Sequence, residues 1–219
     1  MTTAGTHEFT VTDSELLIQS PILAVRKDTL IMPGGGKATR EIVEHFGAVA
    51  IVAFDGENIA LVRQYRHCVQ DRLWELPAGL LDITDEDALT GARRELVEEA
   101  GLEAGDWSVL TDLITSPGFC DEAVRVYLAR DLTRVEQPVA DGDEEADMTM
   151  RWFPLTTARD MVFSGGIVNS IAIAGILAAD AVIAGRVGAR GTDAPFRFRP
   201  TALAERRKAA GITPDMKKL

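Results

Sequence analysis

Residues 79–102 read GLLDITDEDALTGARRELVEEAGL, and the second half of this stretch organises the reading of the rest. On a helix of 3.6 residues per turn, Ala88, Ala92, Leu96 and Ala100 recur every four residues. They form a stripe of small and apolar side chains that can pack closely on a sheet. The other side of the same helix carries Glu95 and Glu99 one turn apart, with Glu98 beside them. Three carboxylates so close repel one another unless a cation sits among them. Hard divalent cations take oxygen ligands, and such a patch can hold one or more of them, with waters and substrate phosphates completing the shell. The plain alternative is a solvated acidic helix on which Arg94 and Glu98 form an i,i+4 pair worth about 0.3–0.5 kcal/mol. The spacing predicts a helix over about 86–100, with Thr84 or Asp85 as N-cap and Gly101 as the C-terminal stop.

Upstream of this helix, 48–54 and 59–64 are apolar runs separated by DGEN. Asp, Gly and Asn tolerate positive φ, so the pattern predicts two core strands joined as a hairpin. The β-prone runs of 9–31 predict two or three strands of a small extension, and PGGGK at 33–37 breaks them. With no GKS or GKT following, those glycines read as a turn rather than a phosphate-binding loop. Further strands are expected at 107–114, 123–129 and 148–153, and a buried helix at 167–184. Interleaved strands and helices without a regular βαβ period favour an α+β or mixed α/β domain over a doubly wound parallel sheet. The organisation expected is an N-terminal β region over 1–45, a catalytic domain over 46–185 and a basic, partly ordered tail over 186–219.

Composition narrows the partners. A chain of 219 residues, 46% apolar, can bury one sizeable core. Its net charge of −11 argues against nucleic acid or an anionic membrane surface as a partner. The apolar run at 167–184 contains Asn169, Ser170 and Asp180, which fits a buried amphipathic helix better than a membrane span. Two cysteines, Cys68 and Cys120, with no CxxC pair, suit a reducing compartment. The start of the chain lacks a basic, apolar leader pattern, so a cytoplasmic location is expected. For an anionic substrate the acidic field must be reversed locally, by metal or by arginines.

At residues 79–102 the sequence resembles the Nudix hydrolase family, whose signature is Gly, five residues, Glu, seven residues, then Arg-Glu-apolar-X-Glu-Glu-X-Gly-apolar. Arg94, Glu95, Leu96, Glu98, Glu99, Gly101 and Leu102 match its second half, and Glu86 stands at the upstream Glu. In one departure, six residues rather than five separate Gly79 from Glu86. Over roughly 45–175 the flanks, VRQYR at 62–66, WELPAG at 74–79 and Pro117 within SPGF, look like the ADP-ribose pyrophosphatase group. The resemblance implies an α/β/α sandwich with a mixed sheet and a small N-terminal β extension. It also implies hydrolysis of a nucleotide-sugar pyrophosphate, with ADP-ribose giving AMP and ribose 5-phosphate.

The resemblance further implies Mg2+ or Mn2+ bound by Glu95, Glu99 and Glu98 with the backbone carbonyl of Ala78, and a homodimer with exchanged N-terminal strands. Arg94 reads as a partner that orients a glutamate. Arg63 and Arg66 are candidates for the substrate's pyrophosphate, because guanidinium forks match phosphate oxygens; ordinary ion pairing on a strand surface is the alternative. Glu75 is a candidate for the ribose or adenine. A metal-bound carboxylate is a poor base, so the general base is expected in the 138–147 loop, Glu145 first and Glu144 second, with Glu98 as the fallback. Rival readings are a Nudix pyrophosphatase for another nucleoside diphosphate sugar or an oxidised nucleotide, and a non-catalytic nucleotide-sugar sensor.

Overall fold

The computed structural model describes residues 5–138 and 147–218. In chain order the strands are β1 (Val11–Gln19), β2 (Leu23–Ile31), β3 (Lys37–His45), β4 (Ala48–Ala53), β5 (Asn58–Arg66), β6 (Asp71–Glu75), β7 (Ala78–Leu80), β8 (Leu102–Ile114), β9 (Ala123–Arg134) and β10 (Thr149–Pro154). The helices are α1 (Ala88–Ala100), α2 (Leu155–Phe163), α3 (Ser170–Ile183) and α4 (Ala202–Ala209).

The central sheet has the order β7-β4-β9-β8, with β4 parallel to β9 and the other pairs antiparallel. Strand β4, AVAIVA, is buried along its whole length. Its Val49, Ile51 and Ala53 pack with Ala92, Leu96 and Ala100 of α1, whereas Ala48, Ala50 and Val52 join Ala172, Ile176 and Ala179 of α3. Helices on both faces explain why this strand is apolar without alternation. The result is a mixed α+β sandwich, and the stripe on α1 lies against the sheet as its four-residue spacing predicted.

The DGEN segment forms a turn, but not the hairpin expected of it. Asp55 accepts hydrogen bonds from the N–H groups of Glu57 (2.9 Å) and Asn58 (2.6 Å), and the chain reverses. The strands then part onto different sheets, β5 lying between β10 and β6, and an isolated Phe54–Ile59 bridge joins the two runs. A strand has two edges, and those of β4 are taken by β7 and β9.

The helix boundary also differs from the expected one. Asp87, not Thr84 or Asp85, caps α1, its carboxylate accepting from Leu89 and Thr90 N–H at 2.9 and 3.0 Å. Thr84 and Asp85 occupy a turn closed by Glu86 N–H to Ile83 C=O at 3.2 Å, with Asp85 at φ 62°. At the other end Gly101, at φ 61°, ends the helix as expected, its N–H reaching Leu96 and Val97 carbonyls.

The N-terminal strands form their own antiparallel sheet, β1-β2-β3, with the glycine run as the turn before β3. The segment after α3, expected as an appendage, places Leu203 and Met216 in a small core with Ala24 and Phe46. Helix α3 starts at Ser170, capped by Asn169 onto Ala172 N–H at 2.9 Å. Among the described residues no helix is long and apolar enough to cross a membrane.

Candidate active site

Packing of Ala92, Leu96 and Ala100 into the core turns the acidic side of α1 toward the β7 segment. Arg94 gathers the carboxylates. Its Nε and Nη2 donate to the two oxygens of Glu86 at 3.1 and 3.2 Å. Its Nη1 donates to Glu95 at 2.6 Å and to Glu98 at 2.8 Å. The extra residue before the helix therefore leaves Glu86 on Arg94. Glu99 accepts the N–H of Ala78 at 2.8 Å, which ties the LPAG corner to the helix.

Gly79 has a steric reason to be glycine. A Cβ built there would lie 1.9 Å from Glu95 Cδ, so the missing side chain is the seat of this carboxylate. Glu95 is 9% exposed. Burial pushes its carboxyl up to about 7; the Arg94 charge pulls the other way, and Glu98 and Asp82 push it further up. Burial pulls the Arg94 guanidinium down, but its hydrogen bonds to Glu86 and the surrounding carboxylates hold it well above its ordinary value.

The donor set fits a hard divalent cation. All of it is oxygen, three carboxylates on one side of α1 and a backbone carbonyl at the LPAG corner. Among the described residues, however, no three His, Cys, Asp or Glu side chains converge as a ready-made ligand cluster. Glu86, Glu95 and Glu98 are drawn to Arg94 and Glu99 to the Ala78 amide, which sets the four carboxylates along one side of α1 beside the LPAG corner.

The other expected site residues fall into two groups. Glu75, 3% exposed, accepts both prongs of Arg66 at 3.0 and 2.7 Å and Gln64 Nε2 at 3.3 Å. Arg63 pairs across the ladder with Trp74 and lies 5.6 Å from the centre of its ring. Arg63 and Arg66 are three positions apart on β5 and so point to opposite faces of the strand. The structure brings Arg66 together with Glu75 and does not bring the two arginines together. Glu144 and Glu145 lie outside the described residues.

Three side chains near the site went unread in the sequence. Asp82, 2% exposed, meets Lys217 Nζ at 2.7 Å, and Arg199 donates to the Glu86 carbonyl at 2.9 Å. The one sequence signal for these contacts is the opposition of a basic C-terminal segment and the acidic run DITDED at 82–87.

Comparison with known proteins adds to this geometry. Residues 44–167 match the family model of the NUDIX domain. The chain is 56% identical over 202 residues to an ADP-ribose pyrophosphatase of Mycobacterium tuberculosis, covering 92% of this chain and 97% of the relative. It is 38% identical over 124 residues to an ADP-ribose pyrophosphatase of Bacillus subtilis, covering 56% of this chain and 66% of that one. A solved ADP compounds hydrolase superposes with a TM-score of 0.73 at 22% identity, covering 84% of this chain and 98% of that one. At that identity the superposition speaks for the fold.

Proposed function

The chain belongs to the NUDIX family, and from that premise we propose that it hydrolyses the pyrophosphate bond of ADP-ribose to AMP and ribose 5-phosphate. The observation that carries this reading is the 56% identity to the Mycobacterium tuberculosis ADP-ribose pyrophosphatase across 97% of that protein. The assembly of Arg94, Glu95, Glu98 and Glu99 on one side of α1 supports it.

Mg2+ or Mn2+ would be held by Glu95, Glu98 and Glu99 with the Ala78 carbonyl, and when bound would stabilise charge on the phosphate oxygens and acidify water. Arg94, anchored by Glu86, sets the directions of Glu95 and Glu98 and keeps their charges from repelling before a cation arrives. Arg66, braced by Glu75, is assigned to the substrate's pyrophosphate, with Arg63 on the other face of β5 as a second candidate. The general base is assigned to Glu145, then Glu144, because a glutamate outside the cation's shell keeps its basicity; Glu98 follows if neither serves.

A homodimer with exchanged N-terminal strands is supported by β1, exposed at every position with Leu16, Leu17 and Ile18 among its residues. The acidic charge of −11 argues against nucleic acid as a partner. Two cysteines without a pairing pattern support a cytoplasmic setting.

The test is a panel of ADP-ribose, GDP-mannose, other nucleoside diphosphate sugars and oxidised nucleotides, with product analysis in Mg2+ and in Mn2+. ADP-ribose should be turned over fastest and yield AMP; a faster rate on another member moves the assignment to that substrate. Glu145→Gln should lower turnover on the order of 10²-fold with nearly normal substrate binding. Wild-type turnover in both Glu145→Gln and Glu144→Gln would move the base to α1.

A further inference from the structure

The loop from Gly79 to Glu86 is one residue longer than the family signature, and residues 82–86 are each held by the C-terminal segment. Met216 N–H donates to the Asp82 carbonyl at 2.9 Å. Ile83 forms an antiparallel bridge with Asp215. The Thr84 N–H and hydroxyl both donate to the Pro214 carbonyl, at 2.9 and 3.1 Å. Lys208 Nζ pairs with the Asp85 carboxylate, and Arg199 donates to the Glu86 carbonyl at 2.9 Å. Met216, 2% exposed, anchors the segment in the core.

This contact set has an electrostatic counterpart. The Asp82 side chain is 3% exposed and its partner at 2.7 Å is Lys217 Nζ. Asp82 stands three residues along the chain from Gly79, whose missing side chain seats Glu95. Without Lys217, a buried carboxylate would stand unneutralised beside the carboxylate seated on Gly79, and burying an unpaired charge is costly. An extra loop residue adds backbone freedom at the point where Glu86 must meet Arg94, and the run of backbone hydrogen bonds removes that freedom.

We propose that residues 199–217 are part of the metal-binding scaffold, holding the 82–86 loop in the shape that seats Glu86 on Arg94 and Glu95 over Gly79, with Lys217 as the positioning residue. The inference rests on the metal reading given above. Lys217 acts through Asp82 and not at the reacting atoms. Its side chain is 45% exposed, so Lys217→Met empties no cavity in the core.

The experiment is a calorimetric titration of Mn2+ into the full-length protein without substrate, comparing wild type, Lys217→Met, Lys217→Arg and Lys218→Met. Lys217→Met should bind Mn2+ on the order of 10-fold more weakly, the range for residues that orient metal ligands. Amide exchange at residues 83–86 should rise in the same variant. Lys217→Arg should restore most of the affinity. Lys218→Met is the control, because Lys218 pairs with Asp215 inside the same segment at 3.6 Å, and it should bind as wild type does. Lys217→Met binding as tightly as wild type, or Lys218→Met weakening as much, would overturn the inference and leave the metal reading intact. A wild-type protein that takes up no Mn2+ overturns the metal reading and this inference with it.

Discussion

Strand β1 near the N-terminus is exposed along its length, with Leu16, Leu17 and Ile18 at 42%, 44% and 55% exposure, whereas Leu203 and Met216 near the C-terminus are at 0% and 2%. Both regions lie outside residues 44–167, which carry the NUDIX match. The C-terminal segment spends its apolar side chains within the chain. It closes a small core with Ala24 and Phe46 and fastens the loop before α1. The N-terminal strand presents apolar side chains and an unpaired edge, the features of a surface that another chain can cover. Sequence outside a catalytic signature can thus serve the body in two ways, by completing it from within or by offering it a partner, and burial separates the two.

The sharpest way to break this contrast is a pair of truncations. Leu203→Ala should cost about 2–5 kcal/mol in urea unfolding, the range for emptying a fully buried leucine site. Leu16→Ala should change the stability of the monomer by less than about 0.5 kcal/mol. Equal losses would erase the distinction. Replacing Leu16 and Ile18 together by Asp should convert the proposed dimer to a monomer by sedimentation with little change in the secondary structure of the body.

The two ends meet at Glu44 on β3, which accepts Arg26 Nη1 at 2.8 Å and Arg206 Nε and Nη2 at 3.1 and 2.9 Å. Burial pushes this carboxyl up, but the two guanidiniums more than offset it and hold it below its ordinary value of 4.5. A carboxyl depressed in the folded state stabilises it fully above the ordinary value, and the contribution fades as pH falls through the depressed one. Glu44→Gln should cost about 1–3 kcal/mol at pH 7, and the gap between variant and wild type should close as unfolding is measured at progressively lower pH, below about 4. A gap unchanged by acid would detach this carboxylate from the seam.

A small effect is also expected at Asp85. A non-glycine residue in the left-handed region is strained, while its exposed pair with Lys208 is worth about 0–1 kcal/mol. Asp85→Gly should therefore leave stability within about 1 kcal/mol of wild type by thermal unfolding. A larger loss would show that the Lys208 contact matters more to the loop than its exposure implies.

What could be read in advance follows the range over which each interaction acts. The α1 stripe and its acidic side are set by spacings of three and four residues, and Ala92, Leu96, Glu95 and Glu99 stand where that period put them. Gly101 was legible because a left-handed cap is a local requirement. DGEN signalled a reversal correctly, yet a turn says nothing about which ladder the following strand will join, and β4 had both edges taken. The N-cap fell at Asp87 and not earlier, which was not legible because Thr84, Asp85 and Asp87 all have the chemistry to cap, and the local sequence does not choose among them. Arg63 and Arg66 each read as a candidate for the pyrophosphate, and the two-residue period of the strand sets them on opposite faces of β5. Lys217 and Arg199 were opaque for a different reason, since their partners Asp82 and Glu86 lie more than a hundred residues earlier in the chain.

Gly79 makes a folded, disarmed protein obtainable by a single added carbon. A methyl group there would collide first with the terminal atoms of Glu95, the far end of a flexible side chain that can swing aside. An alanine at this position would evict one carboxylate and leave the sheet, the helix and the rest of the surface in place. Such a protein would keep the shape that recognises a nucleotide sugar while lacking one of the groups proposed to hold the cation, which is the specification of a trap for whatever substrate the cell presents.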